Sequence, residues 1–246
     1  MIDMENLGKL VPKEALNKLY DDALSAPAKQ IGKLGEDAMK AARLLLAPLQ
    51  LAALAQDRFA AMIERISKNV PPERRIDPPA QVVGPVIEHL RFIDEDSPLS
   101  AMFEEILTNS IDKDGQEKVH PAFPQIISQL SRDEAWILFR LSETSFAVVD
   151  RLDYDRATNQ FLNRVIVSST LPSNELFMGD KFELSFAHLE ALGLVAWPVL
   201  KQTPIIAANV QVGVTRDSSM KLTDLGKLFV KAAIPAAGFE RYAKRN

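Results

Sequence analysis

Apolar residues recur at helical spacing through the first half of the chain. Residues 11–69 predict helix, interrupted at Pro27 and Pro48, because Leu, Ala, Lys and Glu dominate and β-branched residues are few. The next stretch, 'NVPPERRIDPPAQ', holds four prolines and predicts a stiff, extended linker near residues 70–80. Helical spacing returns in 'QVVGPVIEHLRFI' and 'SPLSAMFEEILTNS', and again from about Pro121 to Leu130.

Two helices carry a recognisable first turn. Ser97 or Asp96 can cap the helix that begins at Pro98, a residue type favoured at the first helical position. Ser131 and Glu134 have the spacing of a capping box and begin a further helix in 'SRDEAWILFRL'.

The pattern changes from about Phe146. The runs 'FAVVDRLDY' and 'FLNRVIVSST' are rich in β-branched residues and partly alternating, so they predict a hairpin. The run 'FELSFAHLEALGLV' predicts a helix ended by Gly193. A short strand near Val195, strand-like pieces around Ile205–Val214 and Met220–Leu222, and a closing helix in 'LTDLGKLFVKAAI' follow.

This order of helix, hairpin, helix, ribbon and helix resembles a winged-helix module with an inserted hairpin. We therefore predict an α+β fold that is predominantly α-helical. A helical region occupies residues 1–130, and a winged-helix-like region occupies residues 131–246.

One helical segment is apolar nearly all round. In 'AARLLLAPLQLAALA', residues 41–55, the strongly polar residues are Arg43 and Gln50, which fall in a narrow seam with a period of seven. Such a helix requires apolar surroundings, and three can supply them: the protein's own core, another copy of the chain, or a bilayer. A membrane span needs about 20 apolar residues, and this run is shorter. The candidate oligomer or membrane face contains Leu45, Leu49, Leu51 and Leu54.

Composition narrows the classes of activity. The chain has no cysteine, which excludes disulfides, thiolate zinc sites and cysteine nucleophiles. Its first residues mix both charges without an apolar core, so we expect a cytoplasmic protein, with membrane association as the alternative. The net charge is -4 and neither half is strongly basic, which disfavours a nucleic-acid surface.

The stretch 'TNSIDKDGQEKVHPAF', Thr108–Phe123, has the residue types of a calcium loop. An EF-hand requires glycine at loop position 6 and glutamate at position 12. Counted from Asp112, glycine comes at position 4 and Phe123 occupies position 12. The spacing therefore excludes that site and leaves a connector between two helices.

His120 lies in this connector and has three candidate roles. It can cap backbone amides or bond to an acid such as Asp112, contact a partner, or act as an acid–base group. His89 and His188 fall on helices without metal-ligand spacing. We predict no metal site and no cofactor.

Catalytic and nucleotide-binding motifs are also missing from the sequence. It contains no GxGxxG, GxxxxGK[ST] or GxSxG pattern. The paired acids Glu104–Glu105 and Asp153–Asp155 are typical of a solvated face. The helix that would read DNA carries Glu183 and Glu190, with only Lys181 at its entrance, so DNA binding is disfavoured.

Several stretches resemble the abortive-infection alpha family, a bacterial family linked to phage defence. The resemblance covers much of residues 20–135 and is carried by 'YDDALSAPAKQIGK', 'RLLLAPLQ', 'PPAQVVGPVIEHLRF' and 'MFEEILTNSIDKDGQEKVHPAFPQIISQLSRDEA'. Its most distinctive element consists of Asp112, Lys113, His120, Pro121, Ala122 and Phe123. Beyond residue 135 the likeness fades, and the family supplies no catalytic motif.

The resemblance implies a role in abortive infection. Together with the missing catalytic motifs and the apolar segment, it leads us to predict a non-enzymatic component that acts through protein interaction, self-association or membrane contact. The partners expected are another copy of the chain, a phage-derived or host protein, and a membrane surface. The segment at residues 44–54 is then the effector candidate. A winged-helix DNA-binding regulator and an unrecognised nucleic-acid or nucleotide hydrolase are the alternatives.

Overall fold

The computed structural model describes residue 57, residues 59–90 and residues 92–242, which belong to one compact unit that begins at Ala55. Seven helices are present in this part of the chain: α1 (residues 59–69), α2 (Ala80–His89), α3 (Pro98–Ile111), α4 (Phe123–Gln129), α5 (Arg132–Glu143), α6 (Phe182–Ala191) and α7 (Asp224–Ala233). Five strands accompany them: β1 (Phe146–Asp155), β2 (Gln160–Ser169), β3 (Val195–Ala196), β4 (Val199–Ala207) and β5 (Val210–Leu222).

Helix α3 lies at the centre of the helical layer, in contact with α2, α4, α5 and α7. Its first turn forms as predicted, because Ser97 caps it by accepting a hydrogen bond of 3.2 Å from the Ser100 amide, and Pro98 follows. The helix runs on to Ile111, so the first four residues of the predicted connector are helical. Most of its side chains are buried, as expected for a helix covered on several sides.

A single antiparallel sheet packs beside these helices. Its order is β2-β1-β5-β3. Strand β4 also pairs with β5, as β3 does. The predicted hairpin is present as β1 and β2. Alternate residues of β1, beginning with Phe146 and Val148, are buried against the helices, whereas β2 is exposed along nearly its whole length.

The second hairpin corrects one sequence-based prediction. The piece predicted around Ile205–Val214 is divided by a two-residue turn, Ala208–Asn209, between β4 and β5. Both turn residues have positive φ, 50° and 61°, as a tight hairpin turn requires. The apolar run Ile205–Ala208 enters this turn without a polar residue before Asn209, so periodicity alone did not locate it.

One hydrophobic core spans the described residues from Met62 to Tyr242 and includes both predicted regions. The rings of Phe123 and Phe229 meet edge to face with centroids 5.1 Å apart, which joins α4 to α7. The buried Asn109 side chain of α3 donates a 3.0 Å hydrogen bond to the Ala232 carbonyl in α7. Helices before residue 130 are therefore covered by elements after it.

The prediction of a mixed helix and sheet fold is confirmed. The closer likeness of residues 131–246 to a winged helix stays a prediction. The proline-rich linker contains a short 3-10 helix at Pro72–Arg74, and Arg75 then forms an isolated antiparallel bridge with Asp112. The apolar segment at residues 41–55 lies outside the described residues.

Candidate functional site

Asp112, the first residue of the family-like connector, fastens the connector to the proline-rich linker. Arg74 donates from Nε to Asp112 Oδ1 at 2.9 Å, and its Nη2 donates to Oδ2. This hydrogen bond from Arg74 holds the pKa of Asp112 below its ordinary value, although desolvation acts in the opposite direction. Two backbone bonds, Ile76 to Ile111 and Lys113 to Arg74, flank the ion pair.

The rest of the connector is a compact turn. The Asp114 amide donates to Asp112 Oδ1 at 3.0 Å, which is the geometry of an Asx turn. Gly115 is required next, because a Cβ at this position would lie 2.7 Å from the Asn109 carbonyl oxygen. The aspartates and the glycine that suggested a metal loop therefore shape a turn, and the described residues contain no group of three or more potential metal ligands.

His120 and Phe123 close the connector. His120 Nδ1 accepts a hydrogen bond of 3.1 Å from the Ala122 amide, so the predicted amide cap is present, whereas Asp112 is bonded to Arg74 instead. The His120 ring contacts the ring of the fully buried Phe123, with centroids 5.6 Å apart. Pro121 and Ala122 lie between them in the sequence. Lys113 is exposed. These contacts place His120 and Phe123 at the start of α4.

The other candidate face, Leu45, Leu49, Leu51 and Leu54, lies outside the described residues. Within the described part, no helix is both long enough and apolar enough to cross a bilayer.

The N-terminal turn of α5 makes several side-chain hydrogen bonds, within the helix and to other elements. Ser131 and Glu134 form the predicted capping box, in which Glu134 Oε2 accepts from the Ser131 amide at 2.5 Å. The other oxygen of Glu134 lies 2.6 Å from His188 Nδ1 in α6. Because a carboxylate only accepts, the ring nitrogen carries the hydrogen in this bond. One buried acid therefore caps α5 and fastens α6 to it.

Asp133 and Arg132 hold a different segment. The buried carboxylate of Asp133 accepts from the Phe177 amide at 2.9 Å and from the Met178 amide at 2.8 Å. The Arg132 guanidinium lies 4.2 Å from the centroid of the Phe177 ring, and it also bonds the Tyr242 carbonyl. The backbone at residues 177–178 is consequently held by the first turn of α5.

This segment and the first turn of α6 expose large apolar side chains to solvent. Phe177 is 58% exposed, Met178 52% and Leu184, two residues into α6, 68%, while the neighbouring Leu176 is buried. We refer to Phe177, Met178 and Leu184 as the 177–184 patch. Sequence reasoning missed it, because 'NELFMGDKFEL' has no periodicity that distinguishes buried from exposed apolar residues. The polar residues next to Leu176–Met178, 'NE' before and 'GDK' after, were the only signal in the sequence that this stretch lies at the surface.

A second polar cluster lies where the sheet meets α6. The Asp150 side chain in β1 is 1% exposed and accepts from Arg216 Nε at 2.8 Å and Arg164 Nε at 2.7 Å. Arg164 also bonds Glu183 at 2.9 Å and stacks on Trp197, with its guanidinium carbon 4.5 Å from the ring centroid. The cavity beside this cluster is about 220 Å³ in volume. Its arginines are neutralised within the protein, which does not favour an anionic ligand.

The electrostatics of Asp150 follow from its partners. Desolvation is the largest single influence and raises the pKa of this carboxyl, but the hydrogen bonds and charges of Arg216 and Arg164 together outweigh it. The net pKa lies below the ordinary value of 3.8, so the carboxylate is ionised at neutral pH. It ties β1 to β2 and β5.

Comparison with known proteins gives a family and one solved structure. A family model described as abortive infection alpha matches residues 54–233. A structure of an uncharacterized protein from the hydrocarbon-degrading marine bacterium Alcanivorax borkumensis SK2 is similar over 48% of this chain and 94% of its own, at 17% identity and a TM-score of 0.31. No curated protein matches the chain.

Proposed function

Because the chain belongs to the abortive infection alpha family, we propose that it is a non-enzymatic component of bacterial antiphage defence that acts through contact with protein molecules. Self-association is one form of this contact. Membrane contact through the face that contains Leu45, Leu49, Leu51 and Leu54 is the alternative route to the same role.

The 177–184 patch is the observation that carries this proposal. Asp133 accepts hydrogen bonds from the backbone amides of Phe177 and Met178, and the Arg132 guanidinium lies over the Phe177 ring. A rigid apolar group loses little conformational entropy on binding, which is the property of an interface anchor. These bonds to Asp133 and the contact with Arg132 would have no use in binding if the apolar side chains contacted only solvent.

The polar clusters favour contact over catalysis. His120 Nδ1 accepts a backbone hydrogen bond, and His188 Nδ1 is bonded to Glu134. The exposed face of α6 presents Glu183 and Glu190, which would repel a phosphate backbone. These side chains support a structural role for the histidines and argue against a DNA-reading helix.

The test is protection of bacteria that carry the full chain against phage. We expect Met178→Glu combined with Leu184→Glu to abolish protection, because two carboxylates desolvated in an interface are strongly unfavourable. The matched control is Val165→Glu combined with Val167→Glu, at comparably exposed apolar residues of β2. A separate variant with Leu45, Leu49 and Leu51 changed to Ser tests the alternative face.

Melting temperatures of all variants must be measured beside protection. If protection is lost only in the Leu45, Leu49 and Leu51 variant, the contact that protects the cell is made by that face and not by the 177–184 patch. Full protection by the folded Met178 and Leu184 variant would overturn the proposed use of the patch.

A further inference from the structure

We propose that the cavity beside the Asp150 cluster binds a small, uncharged ring compound that carries both hydrogen-bond donors and acceptors. Besides Asp150 and its two arginines, this cavity is lined by Glu190, Trp197, Val199 and Ser218. We refer to it as the Ser218 cavity. The proposal goes beyond the proposed function and does not rest on it.

The side chain of Ser218 is the observation that points to a ligand. This residue is 4% exposed and lies on the same face of β5 as Arg216, two positions away. Its hydroxyl has no hydrogen-bond partner among the described residues. A buried hydroxyl of this kind is unfavourable unless a water or a ligand bonds it. The cavity volume of about 220 Å³ is many times the roughly 15 Å³ needed to hold one water, so a larger molecule fits.

The arginines of the cluster keep hydrogen-bond donors for such a molecule. Arg216 bonds Asp150 through Nε and Nη2, which leaves Nη1. Arg164 bonds Asp150 through Nε and Glu183 through Nη1, which leaves Nη2. Neither remaining nitrogen bonds any residue in the described part of the chain. Because a guanidinium only donates, both nitrogens require acceptors from outside.

Glu190, in α6, supplies the complementary acceptor. It lines the cavity, and its side chain forms neither an ion pair nor a hydrogen bond with a described residue. A carboxylate oxygen accepts hydrogen bonds, so a ligand that donates to it and accepts from the arginines uses all of these groups.

The balance of charge favours an uncharged ligand. Two acids, Asp150 and Glu190, line the cavity together with the two arginines. An anion would meet the Glu190 carboxylate, and a cation would meet the arginines, so a full charge gains little in either case. Trp197 and Val199 add apolar surface, and this combination of apolar walls with a few polar groups is typical of a small-molecule site.

These properties select a class of compound. A nucleoside and a monosaccharide both carry donors and acceptors around a ring whose faces are suited to contact with an indole. The cavity is smaller than the roughly 300–1,000 Å³ of sites for drug-sized ligands, so a compound of one or two rings is the appropriate size.

Isothermal titration calorimetry of the purified full chain tests the proposal, with uridine and glucose as the two probes. We expect one of them to bind saturably, with one molecule per chain. Uridine 5′-monophosphate should bind more weakly than uridine, because Glu183 and Glu190 repel a phosphate.

Ser218→Ala separates a binding role from a structural role. The dissociation constant should rise about fivefold to tenfold, the effect of one hydrogen bond, while Tm stays the same or rises because the hydroxyl has no protein partner to lose. Glu190→Gln should raise the dissociation constant by about tenfold or more, since a hydrogen bond to a charged group is stronger. The control is Ser219→Ala, at the adjacent serine on the other face of β5, and it should leave binding unchanged.

Each outcome decides the proposal. Binding of either probe that Ser218→Ala weakens at an unchanged Tm upholds it, and the probe that binds identifies the source of the ligand. Absence of binding by both probes at millimolar concentration overturns it, as does binding that Ser218→Ala and Glu190→Gln leave unaltered. A fall in Tm in Ser218→Ala shows that the hydroxyl is used within the protein and also overturns it. Phage protection enters none of these measurements, so the proposed function is tested separately.

Discussion

The carboxylate of Asp133 accepts hydrogen bonds from the amides of Phe177 and Met178, 44 and 45 positions along the chain. Its neighbour Glu134 bonds His188, 54 positions away, while it caps its own helix. Two adjacent acids therefore decide where a loop and a helix lie. In each of them both carboxyl oxygens take part in a hydrogen bond.

Asp133→Asn should loosen the 177–178 segment. An amide of the same shape has one acceptor oxygen, and its NH₂ group faces the second backbone N–H without a bond. We expect a loss of about 2 kcal/mol in the free energy of unfolding and faster chymotrypsin cleavage after Phe177. Asp180→Asn, at an exposed acid of the same segment, is the control. Equal cleavage rates for the two variants would contradict the assigned role of Asp133.

His120→Ala tests whether the family-like connector has a structural or a chemical role. The substitution removes the hydrogen bond to the Ala122 amide at an exposed position. We expect a cost of about 0.5–1 kcal/mol, seen as a fall of about 2 °C in Tm, with phage protection retained. Lys113→Ala should change neither quantity. Loss of protection at an unchanged Tm would instead identify His120 as a reacting group.

At the scale of elements, one buried ion cluster links three strands of the sheet, β1, β2 and β5. Asp150 in β1 joins Arg164 in β2 to Arg216 in β5, so the three strands share a single anion. Backbone pairing sets the register of these strands, and the ion cluster opposes their sliding because any shift separates the charges. Trp197 covers Arg164 and excludes water from one side.

Asp150→Asn should therefore weaken the sheet in a pH-dependent way. The pKa of Asp150 is lower in the folded protein than its ordinary value of 3.8, so its stabilising contribution is complete above pH 3.8 and is lost as the pH falls through the folded pKa. We expect the variant to lose about 2 kcal/mol at pH 7, a reduced figure because both arginines are partly exposed. The difference from the native chain should narrow below pH 3.8. Chemical denaturation at several pH values measures it, and a constant difference would contradict the ion-pair account.

Local signals in the sequence predicted the elements well, and contacts between distant elements were beyond them. Ser97, the capping box of Ser131 and Glu134, and Gly193 (φ 72°) mark helix ends through residues a few positions apart, so their spacing carries the information. The bond between His188 and Glu134 depends on where α6 lies against α5, which no spacing encodes. The same holds for the 177–184 patch, whose exposure depends on the whole fold. The turn within the connector was predictable because its bonds are local, whereas the bond that Asp112 accepts from Arg74 spans 38 positions and was not predicted.

At the scale of the whole molecule, the core crosses the predicted division at residue 130. Phe123 lies before this position and Phe229 after it, and the two rings pack together at the centre. The C-terminal segment returns to the same core, where Phe239 contacts Phe139 with ring centroids 5.4 Å apart. Helices from the first region thus depend on the second for their cover.

Phe123→Ala should consequently destabilise both sides of residue 130 together. Removal of a fully buried ring costs about 3–5 kcal/mol. The two tryptophans, Trp136 and Trp197, both lie after residue 130 and report on that side, whereas far-UV circular dichroism reports on all helices. We expect the tryptophan fluorescence transition to move by the same amount as the circular dichroism transition. Phe161→Ala, at an exposed ring of β2, is the control, and a fluorescence transition that stays in place would contradict a shared core.

The hydrogen bond from Asn109 to the Ala232 carbonyl spans 123 positions. During synthesis at about 5–20 residues per second, α3 leaves the ribosome several seconds before α7 does. For that interval the part of α3 that packs on α7, and the Asn109 amide, have no native cover. Closure of the core is thus a late, non-local event, and the folding rate should be limited by loop closure rather than by helix formation. Until α7 is complete, this part of α3 is open to contact with other chains, so we expect the unfinished protein to be prone to aggregation.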